Sequence, residues 1–251
     1  MRPSKSVAIL TTLLLNLGLL SVTSANSAAL AAGSDPCPSG TTSQSFSYTG
    51  AEQQFVPCAA GLQLTISVNG AEGGWGGYDA SSPGGVGAKG SKLVFNYTTT
   101  STSPLYIYVG AAGTSGASST NGGGGAGGAN PWSNFAGGRG GGAGYAGSSG
   151  GAGGGGAATV VSSTTKSNIL GIAGGGGGAG GANVSHPGGA GKTESYTVSQ
   201  SVCQPSNTDP NSLTNTSIGA AGTDMNGDGG GGGGGGAGAL GGKGGLAVAD
   251  G

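Results

Sequence analysis

Eight consecutive glycines, Gly229 to Gly236, open the closing stretch GGGGGGGGAGALGGKGG. Glycine loses more chain entropy on folding than any other residue, roughly 0.5–1 kcal/mol beyond alanine. Such a run is therefore either a solvated linker or a structure that only a residue without a side chain can build. The same choice recurs at GAEGGWGG (70–77), GGGGAGGA (122–129), GGRGGGAGYAGSSGGAGGGGA (137–157) and GGGGGAGGA (174–182). Glycine supplies 64 of the 251 residues. The blocks lack a strict G-X-Y repeat, which excludes a collagen triple helix.

Two features argue against a linker. Serine, lysine and glutamate are sparse within the blocks, whereas a flexible solvated linker carries them. Every block also lies between stretches with strand patterning, which pins its ends. The alternative is a bundle of polyglycine II helices, extended rods with three residues per turn and a rise of about 3.1 Å. Such rods have no internal hydrogen bonds, so their N–H and C=O groups must be satisfied by neighbouring rods. Only glycine, with occasional alanine, lets the rods approach closely enough. Alanine is the commonest interruption of the blocks.

The intervening stretches read as strands. LQLTISV alternates, with Leu62, Leu64, Ile66 and Val68 on one face and Gln63, Thr65 and Ser67 on the other. SFSYTG places Phe46 and Tyr48 together, and KLVFNY, LYIYV, AATVVSS, NILGIA and SYTVSQSV (195–202) complete the set. No segment beyond the N-terminal region carries a 3.6-residue period, so the fold class is all-β.

Arg2 and Lys5, the apolar run VAILTTLLLNLGLL and the small-residue stretch SANSAALAAGS have the order of a secretory signal peptide cleaved after Ala25 or Ala31. We therefore assign 1–31 to the leader and 32–251 to the mature domain. The apolar run is shorter than the ~20 residues of a membrane span, although an uncleaved anchor is the other reading of this region. No later segment reads as a span. Net charge is −1, and the cations beyond the leader (Lys89, Lys92, Arg139, Lys166, Lys192 and Lys243) are scattered. A protein that binds nucleic acid through its phosphates needs clustered cations, so neither nucleic acid nor an anionic membrane is an expected partner.

In an oxidising compartment Cys37 and Cys58 form the expected disulfide, closing a short loop and leaving Cys203 unpaired or joined to another chain. A Cys58–Cys203 pair is the alternative.

The stretch YTGAEQQFVPCAAGLQLTISVNGAEGGWGG, followed by LYIYVGAAG, GGGGAATVV, NILGIAGGGGGAGG and GAAGTDMNGDGGGGGGGGAG, resembles the glycine-rich extracellular domain of the anaplastic lymphoma kinase and leukocyte tyrosine kinase receptors and of similar secreted microbial proteins. The resemblance spans about Gln44 to Gly245. It implies a β-sandwich of tumour-necrosis-factor-like type with an inserted polyglycine II helix bundle, and a role in binding protein ligands. No kinase or membrane-spanning segment follows Gly245, so signalling does not carry over, nor do the receptors' ligand-contacting residues. The ending LAVADG fits a domain truncated at its C-terminus.

DMNGDGG sets Asp224, Asn226 and Asp228 at alternate positions before Gly229, the first half of a calcium loop. The bidentate glutamate of such loops is missing, as residue 235 is glycine. A polar Asx turn entering the glycine run explains the same residues. HPGGAGKT (186–193) nearly matches a phosphate-binding loop but lacks its first glycine and leads into a strand pattern rather than a helix. His186 is the only histidine, too little for a zinc site, and it reads as an exposed loop residue. Enzymatic activity is not expected.

Trp75, Tyr78, Trp132, Phe135 and Tyr145 lie in or beside glycine blocks. They read either as exposed binding anchors or as covers that pack a glycine bundle onto the strands. Asn96, Asn183 and Asn215 head N-x-[ST] sequons, glycosylation sites in a eukaryotic host. These readings describe a non-enzymatic recognition or adhesion module, secreted or on the cell surface, that binds an extracellular protein or glycan. The alternative is a self-associating surface-coat or matrix protein, an ice-binding variant included.

Overall fold

The computed structural model describes residues 20–25, 42–79, 82–118, 122–144, 149–183, 186–192, 219–224, 229–238 and 248–249. The chain is all-β: these residues hold strands and a single turn of 3₁₀ helix, Ser133–Phe135. None of their helices is long and apolar enough to cross a membrane.

One antiparallel sheet has the order β2-β1-β4-β5, with β1 Leu20–Ala25, β2 Thr42–Phe46, β4 Gln63–Asn69 and β5 Lys92–Thr98. The second has the order β3-β6-β7-β8, with β3 Gln53–Phe55, β6 Leu105–Tyr108, β7 Thr159–Thr164 and β8 Ser167–Ala173. β9 Gly229–Gly230 and β10 Val248–Ala249 form a short separate pair. Gln53–Phe55 is a three-residue strand paired with β6. β1, from within the stretch read as a leader, is an inner strand of the first sheet. SYTVSQSV lies outside the described residues.

The alternation in β4 holds: Leu64, Ile66 and Val68 are buried, while Gln63 and Thr65 are exposed. These residues join Phe46 and Leu93 of the first sheet and Leu105, Ile107, Val161 and Ala173 of the second in one hydrophobic cluster. The inner faces of both sheets therefore share a core. The sheets approach closely at Gly171, where a Cβ would lie 2.5 Å from the Phe95 ring.

The glycine segments continue from the strand ends: 70–79 follows β4, 110–118 follows β6 and 174–183 follows β8, while 83–91 leads into β5 and 150–158 into β7. Hydrogen bonds join segment to segment and recur every third residue. Gly73 and Gly76 donate to Ala88 and Gly85, Gly74 and Gly77 to Gly154 and Gly151, and Gly175, Gly178 and Gly181 to Ala237, Gly234 and Gly231. Residues 150–158 and 174–183 are buried throughout, so main-chain polar groups fill an interior usually made of side chains. Each such bond contributes about 1 kcal/mol net, comparable to glycine's extra entropy cost of roughly 0.5–1 kcal/mol. The array is thus close to neutral in itself and depends on the strands that hold its ends.

Candidate functional site

Three glycine segments lie side by side at the surface. The amides of Gly113 and Gly116 donate to the carbonyls of Glu72 and Trp75, and those of Gly73 and Gly76 donate to Ala88 and Gly85, tying 111–117 to 70–79 and 70–79 to 83–91. The buried segments lie behind: Gly74 and Gly77 donate to 150–157, and Ala88 and Gly85 donate to Gly177 and Gly180. Inward residues are glycine or alanine because a side chain would meet main chain. A Cβ on Gly76 would stand 1.9 Å from the Gly180 carbonyl oxygen.

Every third residue points out of this layer. Trp75 and Tyr78 are exposed and Glu72 half-buried on one segment, and Pro83, Val86 and Lys89 are exposed on its neighbour. Trp75 is 58% exposed, Tyr78 63% and Val86 53%, far above the 2% of Phe135. Large apolar side chains grouped on a surface, framed by Glu72 and Lys89, have the composition of an interaction face.

The other aromatics do a different job. Trp132 packs edge-on against both Tyr108 (ring centroids 5.4 Å apart) and Phe135 (4.8 Å), within a cluster that includes Val160 and Ala237. Asn130 donates to the carbonyls of Tyr108 and Ala158 and accepts from the Trp132 amide, fixing this seal between strands and glycine segments. The aromatics near glycine blocks thus divide, with Trp132 and Phe135 packing inward and Trp75 and Tyr78 facing out. Tyr145 lies outside the described residues. Residue type does not make this division. Three-residue spacing does not make it either, since Trp75 and Tyr78 share it with Trp132 and Phe135.

No family model, curated protein or solved structure matches this chain. The face therefore has to be judged on its own chemistry.

Asp224, the first residue of the calcium-like motif, has both carboxylate oxygens engaged. Oδ2 accepts from Arg139 Nη2 at 2.8 Å and Oδ1 accepts from the Gly142 amide at 2.7 Å. The hydrogen bond from Arg139, then that from Gly142, holds the Asp224 carboxyl below the usual carboxylate range, and the same contact raises the Arg139 guanidinium. Asn226 and Asp228 lie outside the described residues. Among the described residues no three His, Cys, Asp or Glu side chains group as metal ligands.

His186 is exposed, and its amide donates to Asn183 Oδ1 at 2.8 Å in a tight reciprocal turn. Asn183 is fully buried, whereas Asn96 lies exposed on β5, accepting from the Thr65 hydroxyl. Asn215 lies outside the described residues. Cys58 is half-buried against the shared core, while Cys37 and Cys203 lie outside the described residues.

Tyr108, a buried titratable residue of β6, anchors the second sheet. Its hydroxyl donates to Glu52 Oε2 at 2.6 Å and accepts from the Lys166 amide at 2.8 Å. The Lys166 amide is brought there by the β7–β8 turn, in which Lys166 (φ 48°) and Asn168 (φ 46°) are left-handed. Burial, then the bond to Glu52, pushes the Tyr108 phenol up to about 12. Its partners are all internal, which makes it a structural residue.

Proposed function

We propose that this chain is a secreted or cell-surface, non-enzymatic recognition module: a β-sandwich carrying a polyglycine II bundle whose outer face binds an extracellular protein or glycan. The bundle reading is supported by the lateral hydrogen bonds at every third residue, the three-residue period of exposure, and the main-chain contacts that exclude a Cβ. The sandwich reading is supported by the core cluster drawn from both sheets. Both accord with the resemblance to the receptor glycine-rich domains.

The binding reading rests on one observation: Trp75, Tyr78 and Val86 project from adjoining hydrogen-bonded segments without cover. On polyglycine II rods, residues one turn apart are separated by about 9 Å. Trp75 and Tyr78 then form a pre-spaced pair on a scaffold that loses little entropy when it binds.

A glycan array and an extracellular protein panel, probed with the wild type and with the Trp75→Ala/Tyr78→Ala double variant, test this reading. Saturable binding that falls at least tenfold in the double variant, with its melting temperature unchanged, is expected. Equal binding by both proteins, or concentration-dependent polymerisation without a saturable partner, defeats the reading and favours a coat or matrix protein.

A further inference from the structure

Main-chain bonds hold the outward rows of segments 70–79 and 83–91 in register. The amides of Gly70, Gly73, Gly76 and Asp79 donate to the carbonyls of Ser91, Ala88, Gly85 and Ser82, and the Ser82 amide returns a bond to Asp79. The two segments are therefore antiparallel and joined at every third residue. Between these bonds the outward residues fall into rungs: Glu72 beside Lys89, Trp75 beside Val86, and Tyr78 beside Pro83. The rungs stand on buried main chain, since a Cβ on Gly73 would lie 2.1 Å from the Gly177 carbonyl oxygen.

On polyglycine II rods, successive rungs are separated by about 9 Å, three residues at a rise of about 3.1 Å. Polyproline II has the same three residues per turn and the same rise. A partner in that conformation, laid along the rods, keeps step with the rungs over its whole length. A partner with a different repeat drifts out of step from one rung to the next.

We propose that this face takes an extracellular proline-rich segment in the polyproline II conformation, with prolines three residues apart seated in the gaps between the rungs. The proposal rests on the binding reading and on the polyglycine II geometry, and it names the partner that the binding reading leaves open.

The chemistry of the rungs favours this occupant. Surfaces lined with aromatic side chains are a recurring means of holding proline-rich segments. A polyproline II backbone has no internal hydrogen bonds, so its carbonyls are open to donors. Trp75 and Tyr78 are exposed, and an indole N–H and a phenol O–H both donate. Phenylalanine or leucine at these positions would supply the apolar surface without the donor.

Charge points the same way. The charged rung sets the Glu72 carboxylate beside the Lys89 ammonium, and the other rungs are uncharged. The described face therefore has no net charge. A sulfated or acidic glycan, or a strongly charged peptide, would find most of its charges unmatched there. Both proposed partners are also stiff before they meet, so little conformational freedom is lost on binding.

The test uses two synthetic peptides of the same composition and length, about nine residues, or three turns of the helix. One carries proline at every third position and the other at every fourth. Each is titrated calorimetrically into the intact protein and into its Trp75→Ala/Tyr78→Ala double variant. Saturable binding of the first peptide, at least about fivefold tighter than the second, is expected. Its affinity should fall at least about tenfold in the double variant, with the melting temperature unchanged. Equal affinity for the two peptides overturns the proposal, as does binding that the double variant retains. If neither peptide binds, while a neutral glycan or a proline-free protein binds the wild type and not the double variant, the proposal falls and the binding reading stands. Absence of any saturable partner removes both.

Discussion

Gly155 and Gly235 stand so close that a methyl group on the first would lie 1.9 Å from the carbonyl oxygen of the second. The obstacle is main chain, which cannot rotate aside as a side chain does. Gly155→Ala is therefore expected to cost at least about 3 kcal/mol, the upper range for overpacking a rigid interior. Gly142 provides the control, since its Cβ would meet nothing nearer than 3.6 Å. Gly142→Ala should stay within about 0.5 kcal/mol of wild type. Urea unfolding of the two variants checks the contrast, and similar midpoints for both would show that the segments are not packed as described.

Amide exchange reports on the same array without mutation. Gly175, Gly176, Gly177 and Gly178 donate to Ala237, Ala71, Lys192 and Gly234, and all four are buried. Their exchange should be slowed by at least about 10³-fold relative to an unstructured peptide, as for buried hydrogen-bonded amides that open only with the domain. Hydrogen exchange read by mass spectrometry over 174–178 and 230–236 measures it. Exchange at the free-peptide rate would mean that these glycines are slack chain.

Much of the strand scaffold was legible because the alternation of Leu62, Leu64, Ile66 and Val68, and the apolar runs at 105–109 and 159–173, report directly on burial. β3 was not, because Gln53–Phe55 is too short to show a period and its pairing is decided by β6. β1 was hidden for a different reason, since its residues satisfy the chemistry of a leader and of a strand equally. The division of the aromatics was illegible as well. Whether Trp75 faces out and Trp132 in depends on which neighbouring segments flank each one, and that is set by pairings such as Gly116 to Trp75 and Asn130 to Ala158 across distant parts of the chain.

The clasp between Arg139 and Asp224 opposes the calcium reading of DMNGDGG. A metal ion would have to displace Arg139 from Oδ2 and the Gly142 amide from Oδ1. Millimolar calcium is accordingly expected to move the melting temperature by less than about 1 °C, as for a ligand that binds the folded state no better than the unfolded one. A rise of several degrees that is absent in Asp224→Ala would restore the calcium site. The clasp also has an acid limit. The Asp224 carboxyl is held down in the folded state by Arg139 and then Gly142, so its contribution is complete above the ordinary aspartate value near 3.9 and is lost as pH falls through the depressed one. Melting temperatures of wild type and Asp224→Asn should differ at neutral pH and converge in acid.

Tyr108 sets the corresponding alkaline limit. Its phenol is pushed up to about 12 by burial and by its bond to Glu52, against about 10 in an unfolded chain. The neutral form is the one the fold favours, so its contribution is complete below pH 10 and is lost as pH rises towards 12, amounting to about 3 kcal/mol. Absorbance at 295 nm should show a late phenolate step near 12 that is missing in Tyr108→Phe. The variant should also lose stability at neutral pH, because the Lys166 amide and Glu52 carboxylate forfeit their shared hydroxyl partner. Above pH 10 its stability should fall less steeply than that of wild type. Parallel pH profiles for the two proteins would remove Tyr108 as the source of the alkaline transition.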